Sequence, residues 1–106
     1  MRLKKGASLE GLHVSMAIVL HHVENVYNSY GEEAVITSGT EGNPLDGVHS
    51  IKSYHYFGMA LDFRTRYFTD ATANVIVRKL SELLGFNYTV IFEKNHIHIQ
   101  YNWRNI

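Results

Sequence analysis

The chain has 106 residues with ten basic and ten acidic side chains and no cysteine. This length suits one small domain, residues 1–106, with a modest hydrophobic core. The absence of cysteine excludes disulfides and thiolate metal ligands. The balanced charge without a basic run argues against nucleic acid as a partner, and the apolar run at 14–20 is too short for membrane insertion.

The first half of the chain predicts a helix, a strand and a loop. Apolar residues recur at helical spacing over 9–29, which predicts an amphipathic helix that ends at Gly31. A short strand is expected at 34–38. The segment 39–50 contains three glycines and the one proline, which is typical of a loop.

Residues 53–64 include polar and charged side chains in a segment whose other residues are typical of a buried strand. Apolar residues occupy alternate positions, namely Met59, Leu61 and Phe63. A strand that buries this set leaves Asp62 and Arg64 on its polar face. Gly58 precedes the strand, where a residue without Cβ lets the chain bend and bring the His55 imidazole back towards the Asp62 carboxylate.

The last third predicts a second helix and a β-hairpin. Asp70 or Thr69 is expected to cap the helix, and Gly85 to end it. Two β-rich runs, 88–93 and 96–101, flank Lys94-Asn95, which predicts a two-residue turn because Asn tolerates positive φ.

The register of this hairpin sorts its side chains onto two faces. It pairs Glu93 with His96 and Ile91 with His98. Six residues then share one apolar face: Tyr88, Val90, Phe92, Ile97, Ile99 and Tyr101. Glu93, His96 and His98 share the other face.

These two remote stretches predict a metal site. His55, Asp62 and one or both of His96 and His98 are expected to converge. Two or three imidazoles and a carboxylate suit zinc, which takes four ligands and in catalytic sites leaves one position to water. The alternative is that the histidines are satisfied polar residues and that Asp62 caps a turn or pairs with Arg64. Residue types alone leave the choice between His96 and His98 open.

Both stretches resemble motifs of the zinc D-alanyl-D-alanine peptidase family and of its relative, the amino-terminal signalling domain of hedgehog proteins. The first motif, S-x-H-x-x-G-x-A-x-D, is matched without a gap by Ser53, His55, Gly58, Ala60 and Asp62. The second, an acidic residue shortly before H-x-H, is matched by Glu93, His96 and His98. The likeness to hedgehog extends to Asp46-Gly47-Val48-His49-Ser50 and covers roughly residues 34–102.

The resemblance implies a role for several of these residues. It implies zinc ligands at His55, Asp62 and His98. It implies that Glu93 is the catalytic carboxylate and that His96 and His49 line the site, His96 as a catalytic residue and His49 as a substrate-binding one. Ser53 is expected either to bind substrate or to orient a ligand. The fold expected is α+β, with a small mainly antiparallel sheet, helices packed on one face and the zinc site on the other.

One departure from the family concerns substrate binding. Many bacterial relatives carry a substrate-binding arginine after T-S-G, whereas this chain has Thr37-Ser38-Gly39-Thr40-Glu41. Another cation must then bind substrate. Arg64 is the first candidate and Lys52 the second, against the alternative that Arg64 is a solvated surface residue. The carboxylates that bind calcium in hedgehog are only partly matched, so calcium is not predicted.

The resemblance implies a zinc metallopeptidase that hydrolyses peptidoglycan stem peptides as a D-Ala-D-Ala carboxypeptidase or endopeptidase, with Glu93 as general base. The competing class is a non-catalytic, zinc-containing binding module of hedgehog type. No signal peptide is visible in the sequence. The expectation is therefore a protein made in the cytoplasm that reaches the cell wall by lysis or a helper pore, as an endolysin encoded by a bacteriophage does.

Overall fold

The computed structural model describes residues 1–42 and 53–103. The chain order is β1 (Arg2–Leu3), α1 (Ala17–Ser29), β2 (Val35–Ser38), β3 (Ala60–Arg64), α2 (Asp70–Leu84), β4 (Tyr88–Glu93) and β5 (His96–Tyr101). Short 3-10 turns cover Val14–Met16 and Tyr54–Phe57. Across the described ranges, neither helix has the length and apolar character needed to cross a bilayer.

The strands form one five-stranded sheet in the order β1-β2-β3-β5-β4. The β1–β2 pair is parallel and the other three pairs are antiparallel. This arrangement confirms the predicted α+β class with a mainly antiparallel sheet.

The hydrophobic core lies between one face of the sheet and the two helices. The sheet contributes fully buried side chains at Leu61, Phe63, Ile97 and Ile99, and the helices contribute Val19, Val23, Tyr27, Ile76 and Leu80. Because successive strand residues point to opposite faces, Asp62 and His98 lie on the face away from the helices. The sequence prediction that these strands separate an apolar from a polar face is confirmed.

The terminal hairpin has the predicted register. Glu93 pairs with His96, and Ile91 pairs with His98. The prediction that Asn95 supplies the positive φ of the turn is wrong, because the positive φ (49°) belongs to Lys94. Asn95 instead accepts a backbone hydrogen bond from Thr65.

The first helix starts later than predicted. Residues 9–13 are not helical, because Gly11 has a φ of +73° that a right-handed helix does not admit. The helical segment begins with the 3-10 turn, where the His13 ring accepts a hydrogen bond from the backbone N–H of Ser15. Leu9 and Leu12 still pack against the core, so their apolar character was interpreted correctly but their conformation was not.

Two other boundaries can be compared with the sequence. Thr69 caps α2, its hydroxyl accepting from the backbone N–H of Thr72, and Gly85 ends the helix, as predicted. Strand β3 begins at Ala60, so Met59 precedes the strand and is only partly buried. Strand β1 was not predicted, because two residues are too few to show a periodic pattern.

Candidate metal centre

The His55 imidazole is held by the short 3-10 turn that carries it. Ser53 caps this turn, its hydroxyl accepting a hydrogen bond of 3.1 Å from the backbone N–H of His55. Gly58 ends the turn with a φ of +70°. A Cβ at Gly58 would clash with the backbone carbonyl oxygen of Gly11, so this position admits only glycine without movement of the backbone. Ser53 and Gly58 therefore shape the turn that presents His55.

The Asp62 carboxylate and the His98 imidazole come from neighbouring strands. Asp62 in β3 lies directly opposite His98 in β5, whereas the next residue on the polar face, Arg64, lies opposite His96. Asp62 is thereby placed against His98 rather than His96, although both imidazoles share one face of the hairpin. Ala60 is fully buried beside this pair.

These residues form a cluster that can hold a metal ion. His55, Asp62 and His98 each offer one ligand atom, and these atoms lie within 4.8 Å of one another. The Asp62 Oδ1 atom is 2.8 Å from Nδ1 of His98 and 3.4 Å from Nε2 of His55. Ligand atoms placed tetrahedrally at about 2.0–2.1 Å from zinc are about 3.3 Å apart. The separation of 3.4 Å is close to that spacing, and the separation of 2.8 Å is that of a hydrogen bond, which is shorter.

Hydrogen bonds on the far sides of the two rings favour metal binding. His55 Nδ1 lies 2.9 Å from the carbonyl oxygen of Gly39, which can only accept, so the proton of the neutral ring belongs on Nδ1 and Nε2 carries a lone pair. His98 Nε2 lies 2.9 Å from the amide oxygen of Gln100, so a proton on Nε2 has an acceptor when Nδ1, which faces Asp62, gives its own lone pair to a cation. Two lone pairs and a carboxylate directed at one point fit a cation.

The loop that presents Gly39 to His55 is organised by Glu41. The Glu41 carboxylate accepts hydrogen bonds from the backbone N–H groups of Ser8 and Gly39 and from the hydroxyl of Ser38. Burial alone would raise the pKa of Glu41, but these hydrogen bonds outweigh it and lower the pKa. This chain therefore uses a carboxylate to build the support for His55.

The ionisation of the cluster reflects its close contacts. Burial would raise the pKa of Asp62, but hydrogen bonds from His55 and His98 and the charges of His55 and His96 hold it well below its ordinary value. Burial would lower the pKa of His98, but its hydrogen bonds to Asp62 and Gln100 raise it instead. Without a metal, a proton shared between His98 and Asp62 offsets the negative charge of the carboxylate.

Two further predicted site residues lie at the hairpin turn. His96 Nε2 is 3.8 Å from Oδ2 of Asp62, which places the imidazole at the edge of the cluster. The other ring nitrogen of His96 is 3.0 Å from the side-chain oxygen of Asn95. Glu93 pairs with His96 across the hairpin and is exposed, and its negative charge contributes to the raised pKa of His98.

Arg64 lines a polar cleft of about 330 Å³ that adjoins His96. Six residues surround the cleft: Lys4, Thr37, Arg64, Arg66, Asn95 and His96. Among the described residues, the side chains of Lys4, Arg64 and Arg66 form no ion pair with a carboxylate. The cleft therefore has three basic side chains beside the candidate metal centre, and no acidic side chain among the described residues that line it.

Several contributors were not predicted from the sequence. Neither sequence motif includes four of them: Lys4, Arg66, Gln100 and the carbonyl of Gly39. For Gln100, alternation along β5 was an available signal, since Gln100 follows His96 and His98 on the same face. Of the residues predicted to bind substrate, His49 lies outside the described residues, as does Lys52.

Comparison of the chain with protein-family models, with curated proteins and with solved structures finds no match.

Proposed function

We propose that this domain is a zinc-dependent peptidase that hydrolyses peptidoglycan stem peptides. The observation that carries the proposal is the cluster of His55, Asp62 and His98, with their ligand atoms within 4.8 Å of one another. The matched motifs supply the reaction class, because the same three residues are those that the peptidase resemblance implies as ligands.

The support for catalysis is the position of Glu93 and His96. Both lie on the polar face of the sheet, where the hairpin turn adjoins Asp62. Hydrolysis by a metallopeptidase needs a general base and a hydrogen-bond donor close to the cation. The turn offers one carboxylate and one imidazole in that place.

A zinc ion held by His55, Asp62 and His98 would supply a nucleophile at neutral pH, because it lowers the pKa of water to about 7. Glu93 accepts the proton that this water loses as its oxygen attacks the peptide carbonyl carbon. His96 donates a hydrogen bond to the developing oxyanion. The peptide C–N bond then breaks, and Glu93 delivers its proton to the departing amine.

The cationic cleft supports a substrate with a free carboxylate. Stem peptides end in a carboxylate, and Arg64 and Arg66 offer guanidinium groups that pair with a carboxylate in a bidentate manner. Lys4 adds a third positive charge. In this proposal the cleft takes over the role of the arginine that is missing after Gly39.

Cleavage of defined peptides tests the reaction. Zinc-loaded wild-type protein is incubated with muropeptides and with peptides that end in D-Ala-D-Ala, and the products are identified by mass. We expect cleavage by the wild type, and loss of at least about 100-fold in kcat for Glu93→Gln with an unchanged zinc affinity. Glu82→Gln is the matched control, because Glu82 is exposed on α2.

Three outcomes separate the candidate functions. Equal cleavage by the wild type and Glu93→Gln would contradict the role of Glu93. Failure of the zinc-loaded wild type to cleave any stem peptide would refute the enzymatic function. Tight binding of those peptides without cleavage would favour the binding module of hedgehog type.

The role of the cleft in binding the substrate carboxylate is tested by removing the charge of Arg64. Arg64→Gln is expected to raise KM by about 10- to 100-fold, which corresponds to one charge-assisted hydrogen bond of about 1.5–3 kcal/mol. The increase should disappear for a substrate whose terminal carboxylate is amidated. Arg78→Gln, an exposed change on α2, is the control. Equal effects on both substrates would show that Arg64 does not bind the carboxylate.

A further inference from the structure

The carboxylate and the amide on either side of His98 compete for its proton. Asp62 Oδ1 lies 2.8 Å from Nδ1, and Gln100 Oε1 lies 2.9 Å from Nε2. A neutral imidazole carries one proton and can bind a metal only through the other nitrogen. A charged carboxylate is the stronger acceptor, so Asp62 alone would draw the proton to Nδ1 and block that nitrogen.

The amide of Gln100 is itself held in one orientation. Its nitrogen donates a hydrogen bond of 2.8 Å to the side-chain oxygen of Asn102. With the nitrogen engaged there, the amide oxygen faces the His98 ring. Gln100 thus offers Nε2 an acceptor that is fixed before any metal binds.

Asn102 is fixed in turn by two contacts. Its side-chain nitrogen donates a hydrogen bond of 2.7 Å to the hydroxyl of Thr89, and its backbone N–H donates to the carbonyl of Asn87 at 2.7 Å. Thr89 lies opposite Gln100 in the β4–β5 pair, so one hairpin carries the whole series of contacts. We name this series the Gln100–Asn102–Thr89 relay.

We propose that the Gln100–Asn102–Thr89 relay holds a fixed acceptor for the Nε2 proton of His98 and so favours binding of a divalent cation through Nδ1. The inference rests on the proposed metal site and assigns to Gln100 a positioning role rather than a catalytic one. Partners that fix the tautomer of a ligating imidazole are typically worth 10- to 100-fold in metal affinity. None of the three relay residues belongs to either matched motif.

Zinc affinity and the His98 tautomer test the relay. Zinc Kd is measured by competition with a chromophoric chelator, and the protonated ring nitrogen is identified by ¹⁵N NMR of histidine-labelled protein with and without zinc. Gln100→Leu removes the acceptor and is expected to weaken zinc binding by about 10- to 100-fold. In the zinc-bound wild type the proton is expected on Nε2, hydrogen-bonded to Gln100. Gln100→Glu keeps an acceptor oxygen and should restore the zinc affinity to near the wild-type value.

A second variant and a control guard against a purely structural effect. Thr89→Val keeps the side-chain shape but removes the far end of the relay, so a smaller loss of affinity is expected. Asn74→Leu makes a polar-to-apolar change on the exposed side of α2 and should leave zinc affinity unchanged.

The possible failures are distinguishable. If the wild type binds zinc, and Gln100→Leu binds it equally well, the relay has no positioning role and the metal site stands. If the wild type binds no zinc, the metal site and the relay both fail.

Discussion

Replacing Asp62 by Asn tests the central claim, because it removes one negative charge from between the imidazoles with almost no change in shape. The carboxylate lies within 3.4 Å of His55 and 2.8 Å of His98, and its side chain is 15% exposed. A ligand that binds only the folded state at 100 times its Kd stabilises it by about 2.7 kcal/mol. For 106 residues, an unfolding entropy of about 2.1 cal/mol/K per residue gives about 0.22 kcal/mol/K. Zinc should therefore raise the wild-type Tm by about 12 °C.

The same zinc concentration should have little effect on Asp62→Asn. Outer partners of a metal are worth 10- to 100-fold in affinity, so loss of a charged ligand is expected to cost at least about 100-fold. At that affinity the stabilisation falls to about 0.4 kcal/mol, or about 2 °C. Differential scanning calorimetry with and without zinc measures both shifts, with Asp70→Asn at the exposed start of α2 as control. An equal zinc-induced shift in wild type and Asp62→Asn would refute the assignment of Asp62.

Two further predictions concern the metal-free protein. The pKa of Asp62 is lowered on folding, so Asp62 stabilises the folded state at pH values above its ordinary pKa of 3.8, and this stabilisation is lost as the pH falls through the lowered pKa. The pKa of His98 is raised on folding, so His98 stabilises the folded state at pH values below its ordinary pKa of 6.5, and this stabilisation is lost as the pH rises through the raised pKa. Urea unfolding across pH should therefore show greatest stability between these limits, and a flat profile would contradict the pairing. Gly58→Ala should cost at least about 2 kcal/mol, from a left-handed φ and a clash with the backbone. Gly31 has a similar positive φ (+76°) with open space around it, so the urea midpoint of Gly31→Ala isolates the φ contribution, and equal losses would show that the clash is absent.

The elements that were predicted correctly depend on local patterns. The hairpin register follows from a two-residue turn and an alternating pattern, both contained within residues 88–101, and the structure has that register. The caps of α2 at Thr69 and Gly85 are equally local. The start of α1 was mispredicted because apolar spacing continues through 9–13, while Gly11 adopts a φ that ends any right-handed helix there.

The convergence of His55 with Asp62 was also predictable, because only six residues separate them and Gly58 lets the chain turn between them. The choice of His98 over His96 was not. Both lie on one face of β5, and only the pairing of β5 with β3, which are more than thirty residues apart in sequence, sets His98 opposite Asp62.

Residue types along each strand are enough to predict which side chains face away from the core, since side-chain alternation is a property of a single strand. Which of those side chains meet depends on how the strands and loops assemble. The parallel pairing of β1 with β2 brings Lys4 to the cleft of Arg64 and Arg66, and the loop held by Glu41 brings the Gly39 carbonyl to His55. Such contacts depend on strand order and loop closure, which join segments remote in sequence and leave no periodic signal in either one.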